Sequence, residues 1–271
     1  MLPTSFSFLK TDTNPGIALE YAGTGDAIIM LHGIGGNRTN WWDQIKFLSD
    51  RYLAIAWDAR GYGDSDDYAG PLVFEDFSND LTVVLSTFQV ESAHIVGLSM
   101  GGRIAMQFAS KYPQMVKSLS LVDTHLGFQN IDEKTRSVFI QSRRDPLISG
   151  KETRDIAPAL AKSLCSENAI AGALERFIES MTNLHKDSYL KAIESSINND
   201  RFDAYSEISA PTIVIVGEDD KLTPVKMAKE IQGKISGASL SVIPQAGHLS
   251  NFEQPDLFNS VLEKFLSQQK S

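Results

Sequence analysis

Residues 97–102, Gly-Leu-Ser-Met-Gly-Gly, read as a sharp turn between a β-strand and a helix. An apolar run at residues 93–96 precedes them, and a helical pattern follows at residues 103–111. A serine in such a turn needs residues without bulk two positions before and two positions after it, because strand and helix approach each other closely there. Glycine occupies both positions, so the pattern predicts that Ser99 is presented as a nucleophile.

Short β-type runs alternate with helical patterns along the chain. Several of these runs are apolar throughout, which is typical of parallel strands that are covered on both faces. Apolar side chains at a 3.6-residue period mark an amphipathic helix over residues 74–88. This alternation predicts an α/β fold with a mostly parallel, doubly wound sheet. The predicted strands are residues 17–21, 27–31, 52–57, 93–98, 118–122, 212–216 and 240–243.

The alternation stops after residue 122 and resumes at residue 212. The intervening segment has helical patterns without strand signals, which predicts a helical cap inserted into one α/β domain. We expect residues 1–123 and 210–271 to form the core and residues 124–209 to form the cap. With 271 residues, 42% of them hydrophobic, the chain can bury a full core. The predicted cap helices are residues 132–143, 152–164, 169–181 and 187–197.

Composition limits the partners that are expected. The 34 acidic and 25 basic side chains give a net charge of −9 and no basic patch suited to nucleic acid. Cys165 is the only cysteine, so we expect no disulfide and no cysteine-based metal cluster, and a cytoplasmic location fits. We also expect no other metal site and no cofactor. No window approaches the ~20 apolar residues that span a bilayer, and the start lacks a secretory pattern, so no membrane partner is expected. A monomer and a homodimer both remain open.

A serine hydroxyl becomes a good nucleophile only when a base takes its proton and an acid holds that base in one tautomer. His248 lies in a loop after the last predicted strand, at the sheet edge where Ser99 is also expected. We therefore predict His248 as the base. The other four histidines have weaker positions: a glycine-rich loop (His32), a strand (His94), the cap entrance (His125) and the cap (His185).

Three adjacent carboxylates, Glu218, Asp219 and Asp220, follow the predicted strand at residues 212–216. Neighbouring side chains in extended backbone point to opposite faces, so at most one of the three can be aimed squarely at His248. The residues alone leave the choice of acid open.

A tetrahedral intermediate needs N–H donors directed at its oxyanion. The glycine-rich loop at residues 32–36 offers backbone N–H groups, and so does the residue after the nucleophile. We assign these donors to Ile34 and Met100.

Three residues are candidates for the wall of a substrate pocket. Trp41 and Trp42 follow the glycine-rich loop by a few residues, with packing in the core as the alternative interpretation. His125 lies at the cap entrance.

Together these motifs resemble the α/β-hydrolase family over essentially the whole chain. The resemblance implies a cap between the sixth and seventh strands, favours Asp220 as the acid by its spacing, and implies that Asp58 and Arg60 are scaffold. The matching motifs are HG-x-GG at residues 32–36, D-x-R-G-x-G-x-S at 58–65, the serine turn at 97–101, G-x-x-D-x-x-x-P at 217–224 and Ala-Gly-His at 246–248.

Within the family, the chain is similar to the 3-oxoadipate enol-lactonase group and related small esterases. This implies a cofactor-independent serine hydrolase that cleaves a small carboxylic ester or lactone through Ser99, His248, Asp220 and an acyl-enzyme. Two alternatives remain: a hydrolase of carbon–carbon bonds in aromatic ring-fission products that uses the same residues, and a non-catalytic binder of a small ligand. A serine at position 99, where haloalkane dehalogenases and epoxide hydrolases carry aspartate, argues against both of those groups.

Overall fold

The computed structural model describes residues 6–198 and 202–269, which form an eight-stranded sheet flanked by helices. Its strands are β1 (Ser7–Lys10), β2 (Ala18–Ala22), β3 (Ala27–Leu31), β4 (Leu53–Trp57), β5 (Ala93–Leu98), β6 (Val116–Val122), β7 (Thr212–Gly217) and β8 (Ser239–Ile243). Their order is β1-β2-β4-β3-β5-β6-β7-β8. The pairs β1/β2 and β2/β4 are antiparallel and the other neighbours are parallel, which confirms the predicted mostly parallel sheet.

Burial explains which strands the sequence revealed. Strands β3, β5 and β7 are buried at every position, as their continuous apolar runs predict. Strand β1 was not predicted. It has only four residues, most of them exposed, and it lies at the edge of the sheet, so it has no buried face to produce a pattern.

Helices connect these strands, and those between β6 and β7 form a separate group. We call residues 124–198 and 202–209 the helical insertion; its described residues contain no strand, and residues 199–201 of the predicted cap lie outside the described residues. No helix in the described ranges is both long enough and apolar enough to cross a membrane. The helices are α1 (Trp42–Leu48), α2 (Glu75–Thr87), α3 (Met100–Lys111), α4 (Glu133–Ile148), α5 (Thr153–Leu164), α6 (Ala173–Thr182), α7 (Lys186–Asn198), α8 (Val225–Lys234), α9 (Ser250–Glu253) and α10 (Pro255–Ser267).

Two helices of the insertion differ from their predicted bounds by several residues, and the other two differ by no more than one residue at either end. Helix α4 continues to Ile148 rather than ending at residue 143. Helix α6 begins at Ala173 rather than residue 169, because Gly172 before it has a left-handed backbone with φ of +89°. At the start of α4, the Asp132 carboxylate accepts the Thr135 N–H at 3.0 Å, which is an ordinary N-cap.

The helical insertion contacts the loops at the carboxyl ends of the central strands. The carbonyl of Leu164, at the end of α5, accepts the His248 N–H at 2.8 Å. The Ser180 hydroxyl in α6 donates to the carbonyl of Gly35 at 3.2 Å. The insertion therefore covers the edge of the sheet at which the predicted site residues meet.

Candidate active site

Ser99 lies in a strained turn between β5 and α3. Its backbone has φ of +54° and ψ of −113°, a conformation that residues with a Cβ rarely adopt. A Cβ on Gly97 would collide with the carbonyl of Gly101, and one on Gly101 would collide with the carbonyl of Leu31. The two glycines are thus required by contact with backbone, and the turn they allow directs Ser99 into the cavity described below.

The structure brings Ser99, His248 and Asp220 together in one hydrogen-bonded chain. His248 Nε2 is 3.0 Å from the Ser99 hydroxyl oxygen, and His248 Nδ1 is 2.9 Å from Asp220 Oδ2. His248 and Asp220 are buried, and Ser99 is half-buried. With the proton on Nδ1 donated to Asp220, Nε2 is left to accept the proton of the serine hydroxyl.

Local hydrogen bonds hold the Asp220 carboxylate in place. Its Oδ1 accepts the N–H groups of Leu222 and Thr223 at 2.8 and 2.9 Å, and its Oδ2 accepts the Thr223 hydroxyl at 2.6 Å. Sequence reasoning did not identify Thr223, although its position three residues after a carboxylate at a strand end is typical of such turns.

The other two carboxylates point elsewhere. Asp219 accepts the Ser166 hydroxyl from the helical insertion at 2.6 Å, and Glu218 is exposed. Of the three neighbouring acids, only Asp220 faces His248.

Glu253 supports the loop that carries His248, and sequence reasoning missed it. Its buried carboxylate accepts the N–H groups of Gly247 and Leu249, which flank the histidine, both at 2.9 Å. It also accepts the Ser166 N–H at 2.7 Å. Residues 249–256 are mostly polar, so nothing in the sequence distinguishes this glutamate from a surface charge.

Asp123 is a second buried carboxylate that sequence reasoning did not single out. It follows β6 directly, and its backbone has φ of +43°. Its carboxylate accepts the Gly217 N–H at 2.8 Å and the Ser250 N–H and hydroxyl at 3.0 and 2.6 Å. Asp123 thereby ties the end of β7 to the segment after His248. Burial, together with the charge of Asp220, raises the pKa of Asp123 to about 7.

The electrostatics of His248 and Asp220 favour a histidine base that works near neutral pH. Burial lowers the pKa of His248, but the charge of Asp220 and its hydrogen bond oppose this, and the net pKa lies above 6.5. For Asp220, burial raises the pKa, but the charge of His248 and the hydrogen bonds from His248 and Thr223 bring the net pKa below 3.8.

The two predicted oxyanion donors border the same cavity as Ser99. Met100 is the first residue of α3, where backbone N–H groups have no acceptor within the helix. Ile34 lies in the glycine-rich loop. Their role as donors to the oxyanion stays a prediction.

His32 fixes the shape of the glycine-rich loop. It is fully buried, its Nδ1–H donates to the carbonyl of Gly33 at 2.8 Å, and its Nε2 accepts the Ala59 N–H at 3.0 Å. Burial lowers the pKa of His32 to about 4, against the opposing bond to Gly33, so the ring is neutral. This histidine is structural.

Ser99 opens into a cavity that measures, with its mouth, about 770 Å³. His125 also borders it, as the sequence predicts for the cap entrance. The described residues contain no cluster of three or more His, Cys, Asp or Glu side chains that could hold a metal ion. Apolar lining residues include Leu98, Phe128, Phe139, Leu160, Phe177 and Met181.

The prediction that Trp41 or Trp42 walls the pocket is wrong for both residues. Trp41 is fully buried in the core, with its ring 6.3 Å from that of Phe258 in α10. Trp42 donates its indole N–H to Glu20 of β2 and lies near Phe6. Trp41 directly precedes helix α1 and Trp42 begins it, and α1 packs against β2, β4 and α10 rather than along the cavity.

Asp58 and Arg60 hold the turn after β4, as the resemblance implied. The buried Asp58 carboxylate accepts the N–H groups of Arg38 and Asp64 at 2.7 and 2.9 Å and pairs with the Arg38 guanidinium. Arg60 makes two 2.7 Å bonds to Asp80 of α2. Neither residue borders the cavity among those that the structure describes.

Known proteins share this arrangement of strands and helices. A family model described as alpha/beta hydrolase fold matches residues 26–255 of the chain. The 3-oxoadipate enol-lactonase 2 of Acinetobacter baylyi is 26% identical over 264 residues, which cover 95% of this chain and 96% of that protein. The 2-hydroxy-6-oxononadienedioate/2-hydroxy-6-oxononatrienedioate hydrolase of Burkholderia vietnamiensis is 29% identical over 262 residues, which cover 90% of this chain and 88% of that protein.

A solved structure is also similar over nearly the full length. The thermophilic esterase of Thermogutta terrifontis has a TM-score of 0.87 and 26% identity, and the match covers 98% of this chain and 100% of that one. The chain belongs to the α/β-hydrolase family and is a hydrolytic enzyme of that type.

Proposed function

We propose that this enzyme hydrolyses a small carboxylic ester or lactone, with Ser99 as nucleophile, His248 as base and Asp220 as the acid that orients it. The observation that carries the proposal is the chain of hydrogen bonds, 3.0 Å from Ser99 to His248 and 2.9 Å from His248 to Asp220, at the wall of a largely apolar cavity. The similarity of the chain to an enol-lactonase and an esterase supports the same substrate class.

The reaction proceeds in two halves. Ser99 attacks the carbonyl carbon as His248 Nε2 takes its proton, and the oxyanion is stabilised by the N–H groups of Ile34 and Met100. The imidazolium then protonates the leaving alcohol, which leaves an acyl-enzyme on Ser99. Water then attacks the acyl carbon and gives a proton to His248. His248 passes this proton to the Ser99 oxygen as that oxygen leaves, and the carboxylic acid product is released.

We further propose that residues 124–209 form a cap over a core made of residues 1–123 and 210–271. Support comes from the cavity, since Phe139 of α4, Leu160 of α5 and Phe177 of α6 form part of its wall. A cavity that is closed by helices favours short acyl chains over long ones.

A substrate panel tests this function. We expect the purified enzyme to hydrolyse p-nitrophenyl acetate or butyrate, or a small aliphatic lactone, at least about tenfold faster in kcat/KM than p-nitrophenyl palmitate. Release of p-nitrophenol in stopped flow measures the esters, with an initial burst if deacylation is slow.

Carbon–carbon cleavage is the second candidate, because the chain is similar to the Burkholderia vietnamiensis hydrolase. The panel therefore includes a ring-fission dienoate, followed by loss of its absorbance. Rapid cleavage of the dienoate with only trace hydrolysis of the esters and lactones would overturn the ester assignment in favour of this candidate.

The pH dependence follows from the environment of His248. The base must be neutral to accept the Ser99 proton, so kcat/KM for an uncharged ester should rise with pH and reach half its maximum above pH 6.5, in the direction that Asp220 shifts the pKa. Asp220 remains ionised over this range because its pKa is lowered. A profile that is flat between about pH 5 and pH 8, or that falls as pH rises there, would contradict the role of His248.

A further inference from the structure

A polar group lies in the wall of the cavity that the helical insertion provides. Arg143 comes from α4, and Tyr189 and Ser196 come from α7. All three line the same cavity as Ser99 and are nearly inaccessible to solvent, with exposed fractions of 5%, 1% and 1%. The ester chemistry proposed above uses none of them.

Arg143 has no carboxylate within ion-pair distance among residues 6–198 and 202–269. Its guanidinium donates to the hydroxyl of the adjacent Ser142 at 2.9 Å and lies 4.3 Å from the centre of the Phe139 ring. The other arginines that are largely withdrawn from solvent and pair with acids show the contrast. Arg60 bonds to Asp80 at 2.7 Å, and Arg38 pairs with Asp58.

The two hydroxyl groups that line the same cavity also lack acceptors. Within the described part of the chain, neither Tyr189 Oη nor Ser196 Oγ has an acceptor for its proton. Burial raises the pKa of Tyr189, and the charge and N–H groups of Arg143, which face the tyrosine oxygen, oppose this. The helical insertion therefore adds one cation and these two hydroxyl groups to the wall, and Arg103 of α3 lines the same cavity from the core. The described lining residues include no carboxylate.

Such a set of donors is costly to bury without a ligand. A guanidinium remains protonated in proteins, and removing it from water without an anion costs more than a single aromatic contact returns. Its planar fork of N–H groups matches the two oxygens of a carboxylate. Hydroxyl donors in the same cavity wall add to the recognition of a monoanion.

We propose that Arg143, Tyr189 and Ser196 form a subsite for a carboxylate group carried by the substrate, away from its scissile carbonyl. This inference rests on the proposed ester or lactone hydrolysis, and it names the substrate class as esters or lactones of carboxylate-bearing acids. The subsite belongs to the helical insertion, whereas Ser99 belongs to the core, so the substrate spans both. Arg143, His248 and Ser99 line one cavity, so a single ligand can contact the subsite and the reacting groups together.

Matched pairs of esters test the subsite. The half-esters are monomethyl succinate, glutarate and adipate, and each is compared with the neutral ester in which a methyl group replaces the carboxylate: methyl butyrate, valerate and hexanoate. Base uptake at constant pH measures kcat and KM for each. We expect at least one half-ester to exceed its neutral partner by about tenfold or more in kcat/KM.

Arg143→Gln should lower kcat/KM for the preferred half-ester by about 30- to 100-fold, mainly through KM. The fold-loss in kcat/KM for the neutral partner should be smaller by a factor of about ten or more. Arg143→Lys should recover part of the loss because it keeps the charge. Arg144→Gln is the matched control. Its side chain is 37% exposed, next to Asp145, and the variant should stay within about twofold of the wild type on both esters.

Binding supplies a readout that does not need turnover. Titration calorimetry of glutarate against Ser99→Ala should show binding that weakens about tenfold or more when Arg143→Gln is added, and not when Arg144→Gln is added. Tyr189→Phe, which removes one donor and keeps the ring, serves if Arg143→Gln does not fold.

The outcomes separate the two proposals. Neutral esters preferred in all three pairs, or equal losses on both esters in Arg143→Gln, would overturn the subsite while leaving ester hydrolysis intact. Binding of glutarate that depends on Arg143, in an enzyme that hydrolyses none of the esters, would support the subsite and overturn the proposed function.

Discussion

Ser99→Ala is expected to lower the turnover of p-nitrophenyl butyrate by about 10⁴- to 10⁶-fold while the protein stays folded. Ser99 supplies the hydroxyl 3.0 Å from the histidine base, and alanine removes that oxygen while keeping a Cβ in the same backbone conformation. The residual rate would come from the cavity and the oxyanion donors alone. Steady-state kinetics measure the loss, and circular dichroism with a thermal melt measures folding.

Ser110→Ala is the matched control for this loss. Ser110 lies near the other end of α3, and its hydroxyl bonds only to Glu207 at the surface, so its removal should change kcat by less than about twofold. A Ser99→Ala enzyme that kept more than about a tenth of the wild-type kcat would show that another group is the nucleophile.

The parts of the site predicted from sequence are those that local sequence determines. Gly97 is required because its backbone meets that of Gly101 within five residues. Gly101 meets Leu31 of β3, but the spacing of the two glycines around Ser99 is visible in the sequence itself. His248 and the glycine-rich loop are placed by the strands that precede them, since parallel strands bring their carboxyl ends to one edge. Runs that are apolar throughout likewise predicted the buried strands of the sheet.

The parts that were missed depend on contacts distant in sequence. Trp41 was expected at the pocket but packs against Phe258, more than 200 residues later, and nothing near Trp41 indicates that partner. Asp123 meets Ser250 across 127 positions, and Glu253 meets Ser166 across 87. Such carboxylates look like ordinary strand-end or helix charges until the fold brings their partners to them.

Arg143 and Arg144 show the same limit of sequence-based prediction within a single helix. In the sequence, Arg143 and Arg144 form a basic pair that looks solvated. The structure buries the first in the cavity wall and leaves the second partly exposed beside Asp145. Successive residues on a helix point about 100° apart, so only the orientation of α4 on the core separates a surface charge from a lining cation.

Asp220→Asn should lower kcat by about 10³- to 10⁴-fold, because an amide cannot hold His248 in the tautomer that leaves Nε2 free for Ser99. Loss of the negative charge also removes what raises the pKa of His248, so the rising limb of the remaining pH profile should move to lower pH. Asp219→Asn is the matched control, since Asp219 accepts only the Ser166 hydroxyl and lies away from His248; a change within about fivefold is expected. Both variants are compared by kcat on p-nitrophenyl butyrate between about pH 5 and pH 9. If Asp219→Asn proved the crippled variant and Asp220→Asn retained turnover, the assignment of the acid would be wrong, and the 2.9 Å contact between Asp220 and His248 would serve the fold rather than the reaction.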